Sequence, residues 1–274
     1  IYGSFAAKFS KIPIINNVSG LGTLFIKSSF SSYVAKILYK LSFRFSKHVF
    51  FQNKTDRNLF IDYRIVNKKS SSVIPGSGVD TNHFKFNREK NKCISFLFVG
   101  RLIADKGVLE YLKAAKEILA IYPDRYFYLV GDITYKNKTA VSKKIIEYYT
   151  SNFSQIIYLG KTDNIKNLLR DVDVMVLPSY REGLSKSLIE AGSMSLPLIT
   201  TDVPGCNELV VNSYNGFLCR EKSVEDLKRR IIEIIKMPEA DLIRMGKNSR
   251  KIVENKYSEV NVISIYSEMI NSFL

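Results

Sequence analysis

The chain has 274 residues, 46% of them hydrophobic, enough apolar material for two modest domains or one large one with a sizeable core. No run of about 18 uninterrupted apolar residues occurs, which argues against a transmembrane helix, and no secretory leader is visible. The net charge of +15 is lopsided: residues 1–92 hold 16 Lys and Arg against 4 Asp and Glu, a net of +12, and the rest of the chain carries only +3. A surplus so placed points to an anionic partner for the first third, either a membrane surface or nucleic acid, although a merely solvated basic face also fits.

The chain opens at Ile1 in mid-pattern and reads as lacking its true N-terminus. "IPIINNVSG" (12–20) and "HVFFQN" (48–53) are buried strands that end in polar turns, and "VIPGSGVD" (73–80) is a strand and turn with two glycines. Between them, Phe30, Tyr33, Val34, Ile37, Leu38, Leu41 and Phe45 follow helical spacing, with Lys36, Lys40 and Arg44 on another face. That pattern fits a helix lying on a membrane surface or, equally, a core helix with one wet basic side. Polar residues 82–92 read as an interdomain linker.

From residue 93 strand and helix alternate. Strands are expected at 93–100, 126–132, 156–160, 173–179 and 196–202, and helices at 107–122, 138–150, 164–171 and across Glu190. Uninterrupted apolar strands alternating with helices specify a parallel sheet covered on both faces. In such sheets ligands bind beyond the carboxyl ends of the strands. Gly100-Arg101, Gly131-Asp132, Gly160-Lys161 and 179–182 all have that address.

Metal chemistry finds little support in the residues. Cys93, Cys206 and Cys219 have no metal-ligand spacing and suit a reducing cytoplasm, and the two histidines, His48 and His83, make no site. The acidic pair in "DVD" (171–173) begins a strand, on the side away from the ligand edge. No required metal or other cofactor is expected.

Two stretches carry chemistry. In "FVGRLIADKG", Arg101 and Lys106 follow a strand and open a helix, where free N–H groups and the helix dipole add to a guanidinium and an ammonium to make a diphosphate cradle. The spacing is not that of a Walker loop. In "REGLSKSLIEAGSMSLPLITTDVPG" (181–205), Leu188, Ile189, Ala191 and Met194 supply a packing face, which leaves Glu190 to be explained. A carboxylate costs several kcal/mol to bury unless it is hydrogen-bonded, so Glu190 lies on a solvated face or meets a ligand.

"GRLIADKG" together with "REGLSKSLIEAGSMSLPLITTDVPGCNELV" resembles the C-terminal half of a family 4 glycosyltransferase with the GT-B fold. Glu182 and Glu190 match that family's glutamate pair, separated by seven residues, and supporting matches run from "IPGSGVD" to "NSYNGFLC", so the resemblance spans nearly the whole chain. It implies an α/β protein of two doubly wound, Rossmann-like domains facing a cleft: a partial acceptor-side domain at 1–86, a nucleotide-sugar domain at 87–256 and a C-terminal helix at 257–274 crossing back. It implies catalytic roles for Glu182, Arg101 and Lys106, with Glu182 on the hydroxyls of the transferred sugar. Glu190 would take the ribose hydroxyls, and the N–H groups of Gly183, Leu184 and Ser185 would face phosphate. Gly131, Gly160 and Lys161 complete the donor side, and Ser19, Gly20 and Gly22 line the donor and acceptor cleft. Where many members carry a histidine near the donor sugar this chain has Ser19, and the family's glycine-rich loop would precede Ile1.

The implied activity is retaining transfer of a sugar, such as an N-acetylhexosamine, from a UDP-sugar to a glycan or lipid-linked saccharide. The setting would be bacterial capsule, lipopolysaccharide or related glycan assembly, in the cytoplasm or on the inner face of its membrane through 30–47. A non-catalytic basic protein leaves Glu182 and Glu190 unexplained, and no nucleic-acid motif is present. A sugar-nucleotide epimerase of the same fold would need further acid/base groups that the sequence does not show.

Overall fold

The computed structural model describes residues 1–21, 25, 30–86, 94–133 and 139–273. Chain order begins α1 (Tyr2–Phe9), β1 (Ile15–Val18), α2 (Phe30–Phe43), β2 (His48–Phe51), α3 (Lys54–Asp62) and β3 (Ser71–Val73). It continues with β4 (Ser95–Val99), α4 (Val108–Leu119), β5 (Tyr126–Val130), α5 (Lys143–Asn152), β6 (Ile156–Tyr158), α6 (Ile165–Asp171) and β7 (Val174–Leu177). Then follow α7 (Lys186–Ser193), β8 (Leu198–Thr201), β9 (Gly216–Cys219), α8 (Val224–Ile235), α9 (Glu239–Lys256) and α10 (Glu259–Asn271).

The chain forms two compact units. One holds Ile1–Gly78, Glu182–Leu184 and Glu259–Leu274; the other holds Val79–Arg181 and Ser185–Ser258. The change of unit falls at Gly78, earlier than the break at 86 read from the sequence. The polar stretch that read as a linker is fastened where it is described. The Phe84 carbonyl accepts from Ser193 Oγ at 2.7 Å and from the Arg250 guanidinium, which also donates to the Thr81 carbonyl at 2.7 Å.

The first unit is built on a parallel sheet in the order β1-β2-β3. Alternation along β2 sorts its side chains. Val49 and Phe51 join Val18, Phe43, Phe60 and Ile65 on one face, whereas Phe50 joins Ile74 and, from α10, Val262 on the other. Asn53 caps α3, its side chain accepting the Asp56 N–H at 2.7 Å.

Helix α2 corrects one sequence expectation. Its inner stripe is Ser32, Ser42 and Phe43, all buried, with Tyr39 packed on the core. The longer apolar stripe faces outward, with Phe30 84%, Tyr33 64%, Ile37 42% and Leu41 48% exposed. Lys36 leaves the basic face, its ammonium 3.8 Å from the centroid of the Tyr63 ring. The apolar stripe that the core reading of α2 would pack is thus exposed among the described residues. Small serines let the helix lie close on that side, and the bulky apolar residues are left outside.

The second unit is a six-stranded parallel sheet in the order β6-β5-β4-β7-β8-β9. Phe96, Leu97 and Phe98 of β4 and all four residues of β7 are buried, as strands covered by helices on both faces must be. Helix α8 shows the complementary pattern, with Leu227, Ile231 and Ile234 inward and Glu225 and Arg229 outward. Among the described residues no helix is long and apolar enough to cross a membrane.

Candidate functional site

Strand order in the second unit gives the address. From β4 the chain proceeds outward through β5 and β6, and from β7 it proceeds the other way through β8 and β9. The crossovers on either side of that reversal diverge and leave a crevice at the carboxyl ends of β4 and β7. The two segments that follow these strands are the ones the sequence singled out, Gly100–Gly107 and Pro178–Arg181.

They are tied to each other. The Asp105 carbonyl accepts from the Tyr180 N–H at 2.8 Å and from Ser179 Oγ at 3.2 Å. The Tyr180 hydroxyl donates to Glu110 Oε1 at 2.7 Å, and burial, with this bond, raises the phenol far above its ordinary range. Lys222, from the turn after β9, places its ammonium 5.0 Å from the centroid of the Tyr180 ring. Gly107 ends the turn at φ 72, and a Cβ there would lie 2.0 Å from the Pro178 carbonyl oxygen, so only glycine lets the chain pass. Lys106 closes a short 3-10 turn, half-buried, and Arg101 is exposed ahead of it.

On the other side of β4 the strand ends are similarly stitched. Gly100 N–H donates to the Val130 carbonyl at 3.0 Å, Leu102 N–H to Asp132 at 3.3 Å and Gly131 N–H to Gly160 at 2.9 Å. The Tyr158 hydroxyl adds a bond to the Gly131 carbonyl at 2.9 Å. Gly131, Gly160 and the exposed Lys161 thus share the carboxyl edge with Arg101 and Lys106.

Helix α7 begins with Ser185 as its cap, the hydroxyl accepting from Leu188 N–H at 3.4 Å. Leu188, Ile189, Ala191 and Met194 are buried, the packing face expected of them. Glu190, one turn in, keeps 12% of its side chain exposed and has Lys186 Nζ 3.6 Å from Oε1. Burial raises its carboxyl above the ordinary 4.5, and Lys186 opposes the rise. One expectation is corrected. The Ser185 N–H donates to the Gly205 carbonyl at 3.1 Å, so it does not face a ligand. The N–H groups of Lys186 and Ser187, in the first turn, are the ones without intrahelical acceptors.

Glu182, Gly183 and Leu184 pack with the first unit. A Cβ on Gly183 would stand 1.7 Å from the Ser19 carbonyl oxygen and 2.9 Å from Gln52 Oε1, and one on Gly20 would stand 3.0 Å from Gly183 Cα. Ser19 and Gly20 are therefore brought to the Glu182 segment, and Asn53 Nδ2 donates to the Gly183 carbonyl at 2.8 Å. Gly22 lies outside the described residues.

Of the acidic residues in "DVD", Asp173 has a structural task and Asp171 is exposed beside Arg170. Asp173 is buried at the start of β7, where Oδ2 accepts from the Ser95 N–H and hydroxyl, each at 2.8 Å. Among the described residues no group of three or more His, Cys, Asp or Glu is arranged to hold a metal. An open cavity of about 540 Å³ beside β8 and β9 is lined by Asp202, Arg220, Asp226 and Arg229, among others. Its charges are mutually engaged, with Asp226 accepting from the Arg229 guanidinium and the Arg220 N–H.

Residues 79–252 match the model of the glycosyl transferases group 1 family. The chain belongs to that family. It is 29% identical over 250 residues to the N,N'-diacetylbacillosaminyl-diphospho-undecaprenol alpha-1,3-N-acetylgalactosaminyltransferase of Campylobacter jejuni, covering 84% of this chain and 63% of that protein. It is 27% identical over 294 residues to the UDP-Gal:alpha-D-GlcNAc-diphosphoundecaprenol alpha-1,3-galactosyltransferase of Escherichia coli, covering 98% and 73%. The crystal structure of Anabaena HepE in complex with UDP and glucose superposes with a TM-score of 0.83 at 19% identity, over 98% of this chain and 74% of HepE. That likeness shows the fold, which is the GT-B type that the sequence implied.

Within this group 1 chain, sequence reasoning missed Tyr180, Glu110, Tyr158 and Asn53. Each acts through a neighbour's backbone or carboxylate, and only contact in space reveals such partners. Asn53 alone had a local signal, an Asn with Asp56 three residues on, at the end of a strand and before a helix.

Proposed function

We propose that this group 1 chain transfers a sugar from a UDP-linked donor to a glycan or lipid-linked saccharide acceptor, with retention of configuration, in bacterial polysaccharide or glycan assembly. One observation carries the reading: the turn bearing Arg101 and Lys106 is bonded through Asp105 to the segment that leads into α7 and Glu190, at the switch point of a parallel sheet. That is where a nucleotide diphosphate is bound in folds of this kind.

In the reaction the bond from the sugar C1 to the diphosphate oxygen breaks, UDP leaves with the electron pair, and the acceptor hydroxyl bonds to C1 and passes its proton to the departing diphosphate oxygen. Arg101 and Lys106 would neutralise the charge that grows on the leaving diphosphate, a task that fixed cations perform without a metal. The first-turn N–H groups of α7 would add to them. Glu190 would accept from the ribose hydroxyls, and Glu182 from hydroxyls of the transferred sugar. The C. jejuni and E. coli relatives are named for N-acetylgalactosaminyl and galactosyl transfer to diphospho-undecaprenol-linked sugars, which supports a hexose or N-acetylhexosamine donor and a polyprenyl-linked acceptor here. An acceptor of that kind lies at the membrane, and the outward apolar stripe of α2, flanked by Lys40 and Arg44, suits docking there from the cytoplasmic side.

The test is a panel of UDP-glucose, UDP-galactose and their N-acetyl counterparts, offered to the intact protein with a polyprenyl-diphosphate saccharide. The product anomer is assigned by NMR, and EDTA is present in parallel. A retained anomer, formed with EDTA present, is expected. An inverted product, or turnover lost to EDTA and restored by manganese, contradicts the proposal.

A further inference from the structure

Asn53 is fully buried at the end of β2, and it uses both ends of its amide. Oδ1 caps α3 by accepting the Asp56 N–H at 2.7 Å. Nδ2 donates to Asp56 Oδ2 at 3.1 Å and to the Gly183 carbonyl at 2.8 Å. Capping alone needs only an acceptor, which Ser, Thr or Asp would supply equally well. The second function needs a donor that leaves the capping oxygen in place, and the amide carries the two on separate atoms, where a hydroxyl has a single oxygen for both.

The recipient is not an ordinary loop carbonyl. Gly183 follows Glu182 directly, and its Cα is wedged against the Ser19 carbonyl so closely that a methyl group could not be added. Gly183 is thus held by steric contact at its Cα and by a part-buried hydrogen bond at the carbonyl of the peptide that follows it, one residue beyond Glu182. A side chain is carried by its backbone, so what holds the adjoining residue limits where the Glu182 carboxylate can reach.

We propose that Asn53 is a positioning residue for Glu182, holding its backbone so that the carboxylate meets the sugar of the donor. The proposal rests on the reading of Glu182 given above. It concerns the transferred sugar and not the nucleotide, so it separates turnover from UDP binding. Misplacement of a reacting group by about 1 Å can cost about 100-fold in rate.

The experiment compares the wild type with Asn53→Asp, Asn53→Ser, Glu182→Gln and the Asn53→Asp/Glu182→Gln double variant. The substrate is whichever UDP-sugar of the panel turns over fastest, and UDP is the binding probe. Asp keeps the capping oxygen but turns a carboxylate toward the Gly183 carbonyl, and Ser keeps a cap too short to reach it. Both are expected to lower kcat about 10- to 100-fold while UDP affinity changes less than about twofold. Asn53→Asp should also lower Tm, because it sets a carboxylate against Asp56 Oδ2, and Asn53→Ser should lower it less. In the Glu182→Gln background, Asn53→Asp should cost little more, because two residues acting as one unit are not additive.

If Glu182→Gln lowers kcat and neither Asn53 variant does, the assignment of Asn53 alone falls. Additive losses in the double variant, or loss of UDP binding along with turnover, make Asn53 a structural residue and overturn it equally. If Glu182→Gln leaves turnover intact, the reading of Glu182 falls and takes the assignment with it. Should Asn53→Asp fail to fold, Asn53→Ser decides between the same outcomes.

Discussion

Glu190 holds a carboxylate in a mostly apolar helix with Lys186 beside it, and burial raises its pKa above 4.5. Ribose hydroxyls donate to the carboxylate far better than to the acid, so UDP affinity should be full above this raised value and fall as pH drops through it. For folding the sign is reversed. The folded state holds the proton more tightly than the unfolded chain, so Glu190 favours folding at low pH and its burial costs stability once pH exceeds the folded value. Glu190→Ala should weaken UDP binding by about 1–3 kcal/mol, and Glu190→Gln should remove the acid-side fall, both read by calorimetric titration across pH. Unchanged affinity in Glu190→Ala would remove the ribose role. Asp173 makes the contrasting case. Asp173→Ala strands the Ser95 N–H and hydroxyl and should cost about 1–3 kcal/mol in denaturant unfolding while leaving UDP affinity intact. A variant of unaltered stability that loses turnover would instead give the acidic pair a chemical role.

Among elements, α2 departs furthest from its sequence pattern. Periodicity marks an apolar stripe but does not say which way it faces, because Ser32 and Ser42 pack inward as readily as a leucine points outward when close approach is needed. Ile37→Ser and Leu41→Ser should therefore shift stability by less than about 0.5 kcal/mol, the ordinary range for exposed positions. The same variants, and Lys40→Gln with Arg44→Gln, should reduce flotation with anionic vesicles, each cation near such a surface contributing about 1 kcal/mol. Binding should also weaken with salt as the screening length contracts from about 10 Å at 0.1 M to about 3 Å at 1 M. Vesicle flotation unaffected by all four changes would contradict the docking role, and DNA and RNA competition run alongside separates lipid from nucleic acid. The strands were legible because their runs are short, apolar and closed by glycine or a polar turn, as "SFLFVG" and "VMVLPS" are. Helices α8 and α9 follow no strand of the expected series, and their only signal is apolar spacing such as Leu227, Ile231 and Ile234 in α8.

For the whole molecule, the parallel sheet of the second unit and the address of its ligand edge followed from alternation alone. The family pattern placed Arg101, Lys106 and Glu190 on that edge by number. What could not be read is what holds the pieces in register: Asp105 tied to Ser179 and Tyr180, Tyr158 to Gly131, Asn53 to Gly183. These bonds join residues far apart in the chain through backbone carbonyls, which carry no sequence signature. Nor could the sequence show that Ser185 spends its N–H on Gly205. The central claim is that the second unit grips a diphosphate through Arg101 and Lys106, and titration of UDP against uridine into the intact protein tests it most directly. The account predicts that UDP binds far more tightly than uridine and that Arg101→Ala with Lys106→Ala removes most of the difference. Equal affinities for the two ligands, or a difference that survives both substitutions, would contradict it.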